Sequence, residues 1–452
     1  MTAAPSVAEA QAFLARHPDI RHVEVMLTDL NGVLRGKSLR SFELERVYRD
    51  GLPLPSSIAA LTLDGDDAEQ TGLLWEVGDM DCLAYPIAGT LGRCPWLPVP
   101  TAQVLIMLDR ERGQPAAGAD PRLIAAQVIE RLVADGFHPV LAVELEFYLL
   151  DSARLDELPP APAVLRGPHP HVYSIEEIES RAEFLDELHR VCEAQDLPLA
   201  TTISEFGAGQ FEITLHHRTD ALRALDDAIL YKRALKGVAA RHGLTACFMA
   251  KPFARIPGSG LHLHLSLNDA TGRNVFADAA PTGSPELQRA IAMAASAPEL
   301  MAVFAPHGNS YRRYQAYNCA PVNVCWGVNN RTVPLRIPTG AADSRHVEHR
   351  ICGADANPYL VAAAVLAGVH HGLIHALDPG PPVTGDGYQA GTAPRLPAHW
   401  LDAIERLNAS SLARDYLGQR FVEVYCAVKR TEASRYFGEV PKQDYDWYLR
   451  LV

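Results

Sequence analysis

The chain has 452 residues, 48% of them hydrophobic and 21% charged, with a formal net charge of −13. That is the composition of an ordinary globular protein, long enough for one large domain or two to three smaller ones. The acidic balance speaks against nucleic acid or an anionic membrane as the main partner. The eight scattered cysteines hold no C-x-x-C pair for zinc or redox work, so reduced thiols in the cytoplasm are expected.

Met1-Thr-Ala-Ala-Pro5 lacks the basic-then-apolar pattern of a leader. Ser6 to Arg16 reads as a short amphipathic helix. Residues 23–29 and 33–37 read as strands joined by Asn31-Gly32, a strong hairpin signal. Residues 51–100 are rich in Pro and Gly, and a strand at 104–108 closes a small β-rich N-terminal domain, residues 1–115, with a linker at 113–118. Residues 116–452 form the larger domain. Asp120-Pro121 opens a helix as N-cap and first residue, and Gly136 ends it. The apolar run at 140–150 is a strand, and residues 152–170 are a loop. Ser174-Ile-Glu-Glu177 is a capping box opening a helix toward Ala194. Strands and helices then alternate through 201–215, 222–241, 245–249 and 260–267, an α+β pattern. One long helix is predicted over 284–304. Another, over 358–377, contains His370, His371 and His375 and reads as buried rather than membrane-spanning. Further helices follow Pro397.

The chemistry starts in the strand at 140–150. Glu144 and Glu146 are two residues apart, so both face one side. Two carboxylates on one face repel unless a cation sits between them, which points to a divalent metal held by hard oxygens. An edge strand with a wetted polar face is the plainer alternative. Ser204-Glu205-Phe-Gly-Ala-Gly-Gln210-Phe-Glu212 adds two acids around a glycine turn that brings Glu205 back toward Glu212. Gly258-Ser-Gly260-Leu-His262-Leu-His264-Leu-Ser266 places His262, His264 and Ser266 on one strand face, and imidazole beside carboxylate suits a divalent site. Arg313, Arg331, Arg336 and Arg350 then form a local concentration of guanidinium forks, with Glu348 two residues from Arg350. Singly, each is also read as a surface salt-bridge partner. Together, acids and His for metal plus arginines for anions make the inventory of phosphoryl transfer.

The order of these motifs resembles the glutamine synthetase family: E-x-E, then E-(x6)-E ending G-Q-x-E, then K-P-F…G-S-G-x-H-x-H-x-S, N-S-Y-x-R, N-R-x-x-x-x-R-I-P and E-x-R…N-P-Y-L. The resemblance implies an α+β fold with a small β-grasp N-terminal domain. It also implies a large catalytic domain with a curved antiparallel sheet and surrounding helices, and a dodecamer of two hexameric rings. It implies ATP and two or more Mg²⁺ or Mn²⁺ per site. One metal would be held by Glu146, Glu205 and Glu212, and the other by Glu144, His262 and Glu348. His264, Ser266, Arg331 and Arg336 match nucleotide and phosphate positions, with Arg331 in the catalytic role. Gly258, Arg313 and Arg350 match positions that hold glutamate. The implied chemistry is attack of the glutamate γ-carboxylate on ATP, then displacement of phosphate by an amine.

The departures bear on which amine. Leu54, in Pro53-Leu54-Pro55-Ser56-Ser57, stands where the family carries an ammonium-binding Asp, and Cys319 stands where its flap carries a Glu. Leu54, Ser57 and Cys319 therefore mark a candidate amine site that has lost both cation partners and should prefer an organic amine. Residues 172–174, 196–198 and 330–333 resemble the γ-glutamylpolyamine synthetase branch, which serves amine catabolism. Pro257 replaces an Asn before Gly-Ser-Gly, and His346 replaces an ATP-site Arg. An ammonia-using glutamine synthetase and a non-catalytic glutamate-binding ring are the alternatives. Asp64, Asp66 and Asp67 are candidate distal acids for a dicationic amine, although acidic loops usually face water.

Overall fold

The computed structural model describes residues 6–109, 114, 116–164, 172–391 and 393–452. The Met1–Pro5 reading, part of the linker at 113–118 and the end of the loop at 152–170 lie outside the described residues. The first quarter of the chain gives α1 (Val7–Arg16), β1 (His22–Thr28), β2 (Leu34–Arg40), α2 (Leu44–Asp50), β3 (Leu52–Pro55), β4 (Asp81–Pro86), β5 (Gly92–Arg93) and β6 (Thr101–Leu108). These six strands form one sheet, ordered β2-β1-β6-β4-β3 with β5 on β6. The β1–β2 turn forms because Gly32 takes φ +76° and the buried Asp29 carboxylate accepts the N–H groups of Asn31 and Val33, each at 2.9 Å.

The chain continues as α3 (Pro121–Ala134), β7 (His138–Asp151), α4 (Ile175–Glu179), α5 (Ala182–Ala194), β8 (Leu199–Ser204), β9 (Gln210–Leu215), α6 (Ala221–Arg241), β10 (Leu244–Cys247) and β11 (Leu261–Asn268). Then come α7 (Pro285–Ile291), α8 (Ala297–Phe304), β12 (Trp326–Val328), β13 (Leu335–Ile337), β14 (Val347–His349), α9 (Pro358–Ile374), α10 (Trp400–Ala409), α11 (Ser411–Leu417), α12 (Gln419–Gly438) and α13 (Lys442–Tyr448). The second sheet runs β12-β13-β14-β11-β7-β9-β8, with β10 also paired to β7. Its pairs are antiparallel except β12–β13, which is parallel.

Three sequence expectations change. The helix predicted over 284–304 is two helices separated by a 3₁₀ stretch, Ala292–Ser296. Pro298 removes a helical N–H and crowds the preceding turn, so the second helix restarts there. The helix toward Ala194 is also split. Ser180 donates its hydroxyl to the Glu177 carbonyl at 2.6 Å, a local bond that competes with the helical ladder. Its capping box is half made: Ser174 Oγ accepts the Glu177 N–H at 3.3 Å, but the buried Glu177 carboxylate makes no hydrogen bond back.

Helix α9 is the centre of the larger core. It is buried on every side from Pro358 to His370, as an all-apolar helix must be. Among the described residues, no helix is long and apolar enough to cross a membrane. One buried ion pair pins three helices together. Arg122 of α3 donates through Nε and Nη2 to Asp226 of α6 at 2.7 and 3.0 Å, and Tyr359 of α9 donates its hydroxyl to the same carboxylate at 2.6 Å. All three side chains are buried.

Candidate metal and substrate site

The site is a consequence of strand register. Glu146 on β7 lies directly opposite Glu212 on β9, and Glu144 lies opposite His262 on β11. Further across, His264 pairs with Glu348 on β14, and Glu348 pairs with Arg336 on β13. Because side chains alternate along strands, this register lays the whole set on one face of the sheet. Glu205 reaches the same face from the β8–β9 turn, where Gly209 takes φ +74°.

The donors converge. Three groups place one atom per residue within 4.8 Å of the others: Glu146 with Glu205 and Glu212, Glu144 with Glu212 and His262, and Glu144 with His264 and Glu348. The first is the trio expected for one metal. For the other metal, His262 Nδ1 lies 3.1 Å from Glu144 and 3.8 Å from Glu348. His264, expected only at the nucleotide, also lies 3.0 Å from Glu144 through Nε2. Surrounding groups orient the acids. Gly260 donates its N–H to Glu146 at 2.7 Å, and Thr214 donates its hydroxyl to Glu144 at 3.3 Å. Gln210 donates to the Gly258 carbonyl at 3.1 Å while its own carbonyl accepts the Gly207 N–H. The motif reading gave Gln210 and Thr214 no role, yet both stand two residues from Glu212, and strand alternation alone would have put them on its face.

The electrostatics record too much negative charge. Burial, then Glu146, pushes the Glu205 carboxyl up to about 7. Glu212 is raised well above its ordinary value, by burial first and then by Glu144, Glu146 and Glu205. Burial also works against ionising Glu144, but hydrogen bonds from His262 and His264 outweigh it and hold this carboxyl well below the usual range. Glu348 is likewise opposed by burial yet held down to about 2, chiefly by Arg350. A cluster of hard oxygen donors whose members resist shedding their last protons fits a divalent cation, which would supply the missing charge.

The other expected residues divide. Arg336 and Arg350 are buried and both grip Glu348, Arg336 through Nη1 at 2.7 Å. Arg331 is exposed and close enough to Glu205 to lower its proton affinity. Arg313 is buried, donates to the Ile351 carbonyl at 2.8 Å, and packs against Gly258 and Gly260. A Cβ at Gly260 would lie 2.8 Å from Arg313 Nη2 and 3.0 Å from His262 Nε2, so only glycine lets these groups meet. His264, Ser266 and His346 line a cavity of about 740 Å³ beside Glu144. His346 Nε2 is 3.1 Å from His264 Nδ1, so the two rings share one proton there.

The amine candidates have different surroundings within the chain. Leu54 is fully buried: along β3 the covered residues are Leu52 and Leu54, which turns its side chain into the core. Ser57 is half-buried and donates its N–H to Asp79 at 3.0 Å. Cys319 is exposed at φ +60°, with its thiol raised by burial of the sulfur and then by Glu146 and Glu205, so it sits beside the acid cluster. Asp64 and Asp66 are spent on Arg435, at 3.3 and 2.7 Å, rather than free for a distant ammonium group.

Comparison with known proteins gives the same picture. The profile of the glutamine synthetase catalytic domain matches residues 118–448. Gamma-glutamylputrescine synthetase PuuA of Escherichia coli (strain K12) is 38% identical over 448 residues, covering 98% of this chain and 94% of that protein. Glutamate–isopropylamine ligase of a Pseudomonas species is 33% identical over 461 residues, covering 99% and 98%. Among solved structures, a GmaS/ADP complex superposes with a TM-score of 0.85 at 29% identity, covering 99% of this chain and all 100% of that one.

Proposed function

Because this chain belongs to the glutamine synthetase family, we propose that it is an ATP-dependent ligase joining the γ-carboxylate of L-glutamate to an organic amine. The observation that carries this reading is the single sheet face holding Glu144, Glu146, Glu205, Glu212, His262 and Glu348. Glu146, Glu205 and Glu212 would hold one Mg²⁺ or Mn²⁺, and Glu144, His262 and Glu348 a second. Bound there, the ions neutralise charge on the terminal phosphates of ATP.

The chain's own residues do the rest. His264, Ser266 and His346 line the cavity that takes the nucleotide, and a GmaS relative of the same fold is known with ADP. Arg331, exposed at the rim, reaches the phosphoryl group as charge moves onto it. Arg336 fixes Glu348 and supports the same phosphates. Arg313 and Arg350 present guanidinium forks to the carboxylates of glutamate, with Gly258 and Gly260 keeping the approach clear. In the first step a γ-carboxylate oxygen bonds to the γ-phosphorus, and ADP leaves with the bridging electrons. In the second, the amine nitrogen bonds to the acyl carbon, phosphate leaves, and the nitrogen gives up a proton.

The amine is organic on this reading because Cys319, beside Glu146 and Glu205, replaces the acid that would grip ammonium. The two curated relatives act on putrescine and isopropylamine, so the reaction serves amine or polyamine catabolism. The reading carries a homo-oligomer of stacked six-membered rings. It is supported by the apolar surface of Trp447, Leu449, Leu451 and Val452 at the C-terminus, all more than half exposed. Eight free cysteines suit the cytoplasm, where ATP is supplied. The test is phosphate release with glutamate, ATP and a panel of putrescine, isopropylamine, ethanolamine, methylamine and ammonium. At least one organic amine should exceed ammonium in kcat/KM by tenfold or more. Ammonium winning would return the chain to the ammonia-using reading, and no turnover with any amine would favour the non-catalytic ring.

A further inference from the structure

The last turn of α9 carries three histidines, and they are treated differently. His370 is buried and fully engaged, with Nδ1 2.9 Å from the Tyr416 hydroxyl and Nε2 2.8 Å from Asp135. His371 and His375 stand one turn apart on the same helix face, with ring centres 4.3 Å apart and planes 56° to one another. Among the described residues, neither ring has a hydrogen-bond partner; the two rings face each other, and His371 also stands edge-on to Tyr416 at 6.5 Å between ring centres. Both line a cavity of about 350 Å³, together with Arg131, Glu299, Asp415 and Tyr416.

Two like rings held this close need a reason. Burial lowers the proton affinity of His371, and His375 lowers it further, while Glu299 and Asp415 draw it back. The Glu299 carboxylate beside the pair favours a cation there. Arg131 does not oppose one, since its charge is already met by Asp415 at 3.0 Å. The pair sits at the carbonyl end of α9, where the helix dipole also favours positive charge. Two imidazoles at i and i+4 chelate one ion, with nitrogen about 2.0–2.1 Å from it. Imidazole pairs select Zn²⁺, Ni²⁺ or Cu²⁺ rather than Mg²⁺.

We propose that His371 and His375 form a second metal site, separate from the acid cluster of the sheet. It takes a nitrogen-seeking transition-metal dication, with Glu299 supplying negative charge nearby. The ion cross-links the two histidines at the end of α9 and so acts on stability, not on turnover.

The test is calorimetric titration of the full-length protein with NiCl₂ in excess Mg²⁺, comparing wild type with H371Q/H375Q. The double variant should lose one Ni²⁺ equivalent per chain and the associated rise in Tm, while keeping its turnover in Mg²⁺. H375Q alone changes an exposed position that folding does not depend on, and it should weaken that equivalent at least tenfold. Equal Ni²⁺ stoichiometry and affinity in wild type and H375Q would overturn the proposal.

Discussion

Two buried groups of charges in this protein follow opposite rules. At the junction of α3, α6 and α9, one guanidinium meets one carboxylate in a two-pronged pair, and a tyrosine hydroxyl satisfies what is left. On the second sheet, Glu144, Glu146, Glu205, Glu212 and Glu348 crowd one face, and the buried Arg336 and Arg350 both hold Glu348. The first group balances itself and so holds the fold. The second is left in deficit, and on the proposed reading a cation makes it good. A buried ionic cluster that closes on itself reads as architecture, and one that does not reads as function.

The contrast is sharpest for Glu212→Gln. Turnover should fall about 10³-fold, or ~4 kcal/mol, because a metal-site oxygen is lost. Stability of the metal-free protein should hold or rise, since one of several repelling carboxylates is gone. Initial rates beside urea unfolding would check both, and a large drop in stability would break the comparison. Arg122→Leu should do the reverse. It leaves Asp226 buried and unpaired, costing about 3 kcal/mol or more of unfolding free energy, with turnover per folded molecule unchanged.

Divalent metal gives the next effect. Mg²⁺ at about 100 times its Kd should stabilise the wild type by about 2.7 kcal/mol through mass action. The gain should persist in Arg122→Leu and shrink in Glu212→Gln, as thermal shift would show. The smallest effect is in pH. The Glu205 carboxyl is raised in the folded state from 4.5 to about 7. Its contribution is thus fully present below about pH 4.5 and is lost as pH rises toward 7. Metal-free protein should lose about 1–2 kcal/mol over that window, allowing for residual contact with water. Glu205→Gln should flatten the decline.

Much of this was legible in the residues, for identifiable reasons. Helix α3 announces itself through Asp120, Pro121 and Gly136, because caps act locally. Glu144 and Glu146 declare a shared face because alternation along a strand is local too. Register is not local. Nothing within 140–150 says that Glu146 will face Glu212 or that Glu144 will face His262, and only the known order of motifs supplied that pairing. The break in the helix predicted over 284–304 is marked in the sequence by Pro298. Leu54 shows a gap of another kind. A motif position says which residue changed, but the direction of its side chain depends on which face of β3 the core covers.

The facing of Glu146 and Glu212 across β7 and β9 has one more consequence. A slip of β9 by a single residue would turn Glu212 to the far side of the sheet. A mispaired chain would then have no complete trio to offer a cation. On the proposed reading, ion binding would reward only molecules whose strands have found their right neighbours in the right alignment.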